Sequence, residues 1–472
     1  MLWPSLALTR TGLDAMIFYS HESLRELSRD DLIELVLKLA REVEQLQAEV
    51  AALKKPATSR NSSQPPSRDW KQNRPAGKRS KKRGAKSGHA KAERPLVDNP
   101  TTVIEVTVTT CANCGTDLRA VTPQRTIRRQ ITELPEIKPV VIETRQDEVV
   151  CPCCQQLQRG ALPEGLEATR QFGPRLEGLV TYFHHEHHMG FERTQTVLQD
   201  VLDIPLSEGG AVAILERAGE AAQPEAEAIG GQVRQSKVIG SDETSARVNG
   251  RNWWEWVFQS PAGEYHLIVP SRGQEVVEAF MGDHRAEVWN SDCWKPQLNA
   301  PADLHQLCIP HQIRNLQKLI DQRPRLRWAL EMQDLFRRAV HLWHRREVLT
   351  KRGFQAQVTG LEKRLDELLQ RRVTGRLAVN LLDRFRTHRK HLFVFLHRPD
   401  VSPDNNACER ALRPSVIHRK VLGSFRSEWG PRAYAALATV LNTAKRAGQN
   451  IFQKLVSLMG KPVLHYLDPQ TA

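Results

Sequence analysis

Residues 237–248 read KVIGSDETSARV, and together with NWWEWVFQS (252–260) and EYHLIVPS (264–271) they decide the fold. Each run is short, rich in β-branched or aromatic residues, and bounded by Gly, Pro or Ser, so the three read as consecutive strands. A helix follows from Gly273 to Met281, then a strand over AEVWNS (286–291). DLHQLCIPH (303–311) reads as a further strand, with a helix from Gln312 onward. The tryptophans Trp253, Trp254 and Trp256 are expected to serve the two faces of this sheet rather than to stack on bases.

Three strands followed by alternating helix and strand is the order of a ribonuclease-H-like core. In that fold one acid lies on the first strand and another at the end of the fourth. Asp242, after Val238-Ile239-Gly240, and Asp292, closing AEVWNSD, fall at those places. A third acid, Glu409, lies in PDNNACERALRP (403–414), a polar helix start rich in arginine. Two aspartates at strand ends and a glutamate on a later helix can hold two divalent cations, Mg²⁺ or Mn²⁺, for phosphoryl transfer. Lone acids are common, so the weight rests on all three contexts. Pro414 is predicted to end or kink its helix, because it lacks the N–H that would bond to Arg410. Arg410, Arg413, Arg419 and Lys420 place cationic side chains beside the third acid, as candidates for nucleic-acid contact. Between the second and third acids, 321–395 reads as a polar, arginine-rich helical insertion with an apolar face at Leu361, Leu365 and Leu368.

The chain is basic, with 68 Lys+Arg against 54 Asp+Glu and a net charge of +14, which favours a polyanionic partner over an acidic-protein or neutral-ligand role. No apolar run approaches membrane-spanning length, so a membrane role is not expected and the cytoplasm is the expected compartment. There the eight cysteines are metal ligands or buried thiols rather than disulfides. Ser28 and Asp31 open a helix whose Leu32, Val36, Leu39, Val43, Leu46, Val50 and Leu53 recur in steps of four and three. That heptad seam favours a two-stranded, self-associating coiled coil over an amphipathic helix packed on its own domain. From Pro56 to about Pro100 the composition cannot bury a core. Its Lys81, Lys82 and Arg83 suit sequence-blind phosphate contact, and solvated disorder without a partner is an equal reading. Cys111-Ala112-Asn113-Cys114 and Cys151-Pro152-Cys153-Cys154 have knuckle spacing, which points to one structural Zn²⁺ held by Cys111, Cys114, Cys151 and Cys154. The intervening ITELPEIKPVVIETRQDEVV is expected to form a β-hairpin. Helices over 194–202 and 207–217, joined by DIPLS, read either as a DNA-binding helix-turn-helix or as a generic helical hairpin. The run His184-His185-Glu186-His187-His188 reads as a solvated face rather than a metal site.

The strings GSDETSARVNGRNWWEWVF, HQLCIPHQIRNLQ and PDNNACERALRPSVIHRKVLGS resemble the DDE transposases of the insertion-sequence-66 type, with PDNNACER the most distinctive. The resemblance runs from about Leu24 to Leu467. It implies a multidomain α/β chain divided into an unassigned extension (1–21), coiled coil (22–55), basic linker (56–100), zinc module (101–160), helical domain (161–235), catalytic domain (236–447) and C-terminal tail (448–472). It implies that Asp242, Asp292 and Glu409 are the catalytic triad. The partners it implies are element inverted repeats, target DNA and small accessory proteins. Cys308 and His311 match the family's C-x-x-H and read as structural. Cys293 departs from the glycine usual after the second aspartate, and the first fifteen residues fit nothing in the family, which makes Met16 a candidate start. A non-catalytic DNA-binding regulator and a structure-selective nuclease on the same fold are the alternative readings; an intact acidic triad argues against the first, and the zipper and zinc module against the second.

Overall fold

The computed structural model describes residues 28–54, 94–163, 166, 170–461 and 463. The extension 1–21 and the basic cluster Lys81, Lys82 and Arg83 lie outside the described residues. The described residues fall into two compact units, one from the ranges Met1–Trp70, Gly160–Thr194 and Glu208–Ala472, the other from Lys71–Arg159 and Gln195–Ser207. Among the described residues no helix is long and apolar enough to cross a membrane.

Helix α1 (Arg29–Lys54) starts where its cap dictates. Ser28 Oγ accepts the backbone N–H of Asp31 at 3.2 Å and donates to the Asp31 carboxylate at 2.6 Å, satisfying an otherwise orphaned helix donor. Its seam faces solvent: Val36, Leu39, Val43 and Leu46 are each about half exposed or more. In the cysteine module the expected hairpin over 131–150 is not formed. Pro135 and Pro139 remove ladder donors there, and the strands found, β1 (Glu148–Val150) and β2 (Leu157–Arg159), instead flank the second cysteine pair as an antiparallel ladder.

Helix α2 (Pro174–Thr181) runs into a π-helical turn, Tyr182–Glu186, which alters the facing of the histidine run. The run is not a solvated face. His185 is buried against Tyr434, with ring centroids 4.7 Å apart, and His184 stacks on Phe191 at 4.9 Å. Burial, with the charge of His188, pushes His184 down to about 4, so it packs as a neutral ring. After α3 (Phe191–Leu202), helix α4 extends from Glu208 to Arg234, well beyond the short helix expected to end at Arg217. It buries Ala211, Ile214, Ala218, Ala222, Ala226 and Val233, and tertiary burial carries it through Pro224.

The central sheet has the order β5-β4-β3-β6-β7. Strands β3 (Val238–Val248), β4 (Arg251–Ser260) and β5 (Gly263–Val269) form an antiparallel meander. After α5 (Gln274–Met281), β6 (Ala286–Ser291) joins β3 in parallel. After the short α6 (Lys295–Leu298), β7 (Ala302–Leu307) joins β6 in parallel. Alternation along β4 sorts its side chains by face. Trp256 and Phe258 pack under α5, where Phe280 stacks on Phe258 at 3.9 Å, while Trp253 and Val257 turn to the opposite face. The tryptophans thus fill both faces, as expected.

Helices α7 (Ile309–Gln322), α8 (Arg327–His344), α9 (Lys351–Leu369), α10 (Arg376–Thr387) and α11 (Val394–His397) share one core around Trp328, Phe336, Leu365 and Phe385. Helix α12 (Asn406–Leu422) carries Glu409 in its first turn. Pro414 does not end it: buried Cys408, Ala411 and Leu412 on one side and Ser415 and His418 on the other hold both halves. Helix α13 (Trp429–Arg446) lies so close to α4 that a Cβ at Gly219 would fall 2.6 Å from Ala433 Cα. The stretch read as a C-terminal tail contains α14 (Ile451–Met459), whose Leu455, Val456 and Met459 are buried.

A buried ionic network ties α12 and α13 to the sheet. His266 on β5 places Nδ1 3.0 Å from Glu255 on β4 and Nε2 3.8 Å from Glu264. Ser415 donates to Glu255 at 2.6 Å, and Tyr434 donates to Ser415 at 3.1 Å. Burial opposes charge on His266, but hydrogen bonds to Glu255 and Glu264 and their charges overcome it and push the group up to about 9. Folding therefore raises this pKa from 6.5, and its stabilisation is fully present below about pH 6.5 and lost as pH rises through about 9. Melting temperature should fall more steeply between those values for the wild-type protein than for His266→Gln; parallel curves would show that the network contributes nothing pH-linked.

Candidate active site

Parallel pairing of β3 and β6 matches Gly240 with Asn290, so Asp242 and Asp292 each lie two residues further along neighbouring strands. Asp242 is paired with Val257, on the sheet face that α12 covers, and Glu243 with Trp256, on the α5 face. Asp292 follows β6 directly, at the edge where ligands commonly bind beyond the carboxyl ends of parallel strands. Cys293 does not lie in left-handed backbone, so the missing glycine there imposes no strain.

The segment leading into α12 is stitched into the notch between these strand ends. Asn290 donates to the carbonyls of Ser402 (3.0 Å) and Asp404 (2.9 Å). Buried Asn405 donates to the Ser241 carbonyl at 2.7 Å, and the Ile309 N–H reaches the Pro403 carbonyl at 2.9 Å. Gly240 is required beneath this segment, because a Cβ there would sit 2.9 Å from Cys408 Sγ. These bonds fix the start of α12, in whose first turn Glu409 lies.

The acids crowd one another in a partly desolvated space. Burial, then the charges of Glu243, Asp292 and Glu409, holds Asp242 well above the usual carboxylate range, against a 2.9 Å bond from the Glu243 N–H. Burial also raises Asp292, opposed by the Trp294 N–H at 2.8 Å and by the charges of Arg272 and Arg384. Glu243 is raised by burial and by Asp292. Arg272 binds Glu243 at 2.7 and 2.9 Å while lying between the rings of Trp254 (4.5 Å) and Trp294 (4.2 Å). Gln297 accepts from Ser241 at 2.8 Å and donates to Glu243. Glu243, Arg272 and Gln297 carried no motif in the sequence; adjacency of Glu243 to Asp242 was the single available signal. Desolvated oxygen donors that raise one another's pKa suit a hard divalent cation, which would relieve the repulsion.

Glu409 sits apart from the two aspartates, 3.8 Å from His311 Nε2 and 3.6 Å from Arg314 on α7. Among the described residues, the group of three or more donors within 4.8 Å of one another is Cys308, His311 and Glu409.

Over residues 169–433, more than half its length, the chain matches the model of the family described as Transposase IS66 family. It belongs to that family. It is also 27% identical over 157 residues to a protein of Sinorhizobium fredii (strain NBRC 101917 / NGR234) described as "Uncharacterized protein y4jO", covering 33% of this chain. The chain spans about half the length of that curated relative, 48%.

On this IS66-family chain the basic candidates separate. Arg410, Arg413 and Lys420 are exposed on α12. Arg419 is turned inward, donating to Thr244 at 3.1 Å, with burial lowering its pKa. The two cysteine pairs form matching turns: Cys111 and Cys151 each accept an N–H four residues on and donate to a carbonyl five residues on, all at 2.9 Å. Gly115 (φ 74) and Gln155 (φ 58) close the two turns in the same left-handed conformation. Hydrogen bonds to Thr116 pull the Cys114 thiol down to about 7, and the backbone N–H groups of Cys154 and Cys153 lower Cys151, as metal-binding thiolates require. The pairs are not drawn into one cluster.

Asn405→Ala would strand the Ser241 carbonyl and free the segment carrying Glu409. A loss of about 1–3 kcal/mol in unfolding free energy is expected. Chemical denaturation of the purified variant measures it, and an unchanged midpoint would show that the clamp is redundant.

Proposed function

We propose that Asp242, Asp292 and Glu409 are the acidic triad of a metal-dependent DNA transposase that cuts element ends and joins them to target DNA. The observation that carries this reading is geometric: Asp242 and Asp292 each lie two residues beyond the paired Gly240 and Asn290, and α12, which carries Glu409, packs on the sheet face of Asp242. The order β5-β4-β3-β6-β7, with the first acid on the first strand and the second beyond the fourth, supports a ribonuclease-H-like core. Bound at these carboxylates, two Mg²⁺ or Mn²⁺ ions would supply charge neutralisation and activation of the attacking oxygen.

The chain's own residues set the geometry. Backbone N–H groups of Glu243 and Trp294 orient Asp242 and Asp292, and the clamp at Asn405 holds Glu409 within reach. Arg410 and Arg413, within about a turn of the third acid, and Lys420, about three turns further along α12, are exposed and would receive the DNA backbone. Water attacks a phosphodiester at the element end, the P–O3′ bond breaks, and the leaving 3′-oxygen takes up a proton. The freed 3′-hydroxyl then attacks a target phosphodiester, loses its proton to solvent, and displaces a target 3′-oxygen. Each displacement occurs directly at phosphorus, so no covalent enzyme intermediate is required, and catalysis rests on position and electrostatics.

The remaining modules fit recognition of inverted repeats by a multimer in the cytosol, with small accessory proteins as further partners. The solvent-facing valine/leucine seam of α1 supports self-association. Matching knuckles support one structural Zn²⁺ held by Cys111, Cys114, Cys151 and Cys154. The module around them has no core of its own, with Ile104, Val106, Ile131 and Val141 each more than 80% exposed, so metal would supply its folding energy.

Asp292→Asn removes a charged ligand at nearly constant shape. It should abolish end cleavage and strand transfer in Mn²⁺ while leaving inverted-repeat binding intact, and that binding should fall roughly a thousandfold between low and moderate salt if some six phosphates are neutralised. Cleavage that survives single substitution of all three acids would refute the triad; cutting without joining would favour a nuclease, and binding without cutting a regulator.

Val43→Asp with Leu46→Asp places charges in the α1 seam and should convert the dimer to monomer in sedimentation. A wild-type monomer, or a variant that stays dimeric, would exclude the zipper.

A further inference from the structure

Cys308, His311 and Glu409 stand at a junction that the triad alone does not explain. Cys308 is fully buried at the end of β7, in the N-cap position of α7, and burial pushes its thiol up to about 12, so the sulfur stays protonated until a cation displaces the proton. Its sulfur accepts the Asn405 N–H at 3.4 Å, and its own N–H bonds the Ser291 carbonyl at 2.8 Å, one residue before Asp292. His311 follows within the first turn of α7 and faces Glu409 across 3.8 Å. Its buried Nδ1 has no hydrogen-bond partner. Sulfur, imidazole nitrogen and carboxylate oxygen thus converge within 4.8 Å, a donor set unlike the all-oxygen aspartate side. Thiolate and imidazole select soft or borderline cations, whereas Mg²⁺ prefers oxygen.

We propose that Cys308, His311 and Glu409 form a separate site for a thiophilic divalent cation such as Zn²⁺, and that its occupancy draws Glu409 away from Asp242 and Asp292. This rests on the reading of Glu409 as the third acid. Thiolate and carboxylate together balance the cation's charge, and Arg314, 3.6 Å from the same Glu409 Oε1 that faces His311, holds that oxygen at the site until a cation takes its place. On binding, the Cys308 thiol releases its proton to solvent and a Cys–metal bond forms. One residue would then serve two metals, active with a hard cation and idle with a soft one. The pair Cys308/His311, read from sequence as structural, becomes the regulatory half of the site.

The test uses the full chain, stripped of metal under reducing conditions and titrated with ¹¹³Cd²⁺. A four-thiolate knuckle and a single-thiolate site give well-separated cadmium resonances. The single-thiolate resonance should be present in the wild type, lost in Cys308→Ser, and weakened in occupancy about tenfold or more in His311→Gln, which removes a ligand at a less buried position. Absence of that resonance in the wild type, its survival in Cys308→Ser, or undiminished occupancy in His311→Gln overturns the site. End cleavage in fixed Mg²⁺ should fall to background on adding Zn²⁺ at the occupancy the cadmium titration defines, and the same addition should leave the residual rate of His311→Gln unaltered; equal inhibition of both overturns the regulatory role. A cadmium signal as expected in a protein that never cleaves would sink the transposase reading and spare the metal site.

Discussion

Everything at the site depends on how Ser402–Asn405 is held in the notch between β3, β6 and β7. Backbone carbonyls there would be stranded in a buried region without donors from Asn290, Asn405 and Ile309. The same bonds start α12 and seat its first turn over Gly240. An acid more than a hundred residues from Asp292 in sequence is therefore placed by four or so hydrogen bonds and by the absence of a side chain at Gly240. Loss of that clamp would move the third acid without touching any of the three.

Two kinds of buried charge are kept apart in this protein. In the His266 network each charge has an opposite partner, and ionisation stabilises the packing of α12 and α13 on the sheet. At Asp242, Asp292 and Glu243 like charges meet, and ionisation opposes the fold. Arg272, fixed between two indole rings, offsets part of that repulsion through Glu243. The remainder is stored at the sheet edge, where a cation would relieve it. Val257 on β4 stands between the two sets, paired with Asp242 on one side and with His266 on the other.

Much of this was legible in the sequence because short-range rules govern it. Short β-branched and aromatic runs marked β3 to β6, Ser28 and Asp31 marked the start of α1, and Asp292 marked the end of β6, whereas Asp242, expected at a strand end, lies within β3. Expectations failed where distant contacts overrode local signals. Pro414 and Pro224 lie inside helices because burial on both sides outweighs one lost hydrogen bond each. The histidine run turns inward because a π-helical turn alters its facing, which no spacing rule announces. The hairpin between the cysteine pairs fails because Pro135 and Pro139 interrupt the ladder, a local signal that opposes the alternation around it.

By itself the sequence determined a mixed α/β fold and the succession of its strands, and it singled out three acids and two cysteine pairs as candidates, since each follows from local geometry and residue chemistry. The tertiary structure decided which acids feel one another, that Glu243 and Arg272 belong to their surroundings, that Arg419 is withdrawn from the surface, and that Glu409 faces Cys308 and His311. Those relations join residues on β3, β6, α7 and α12, and a one-dimensional pattern holds no distance between elements until strand register and helix packing have set it.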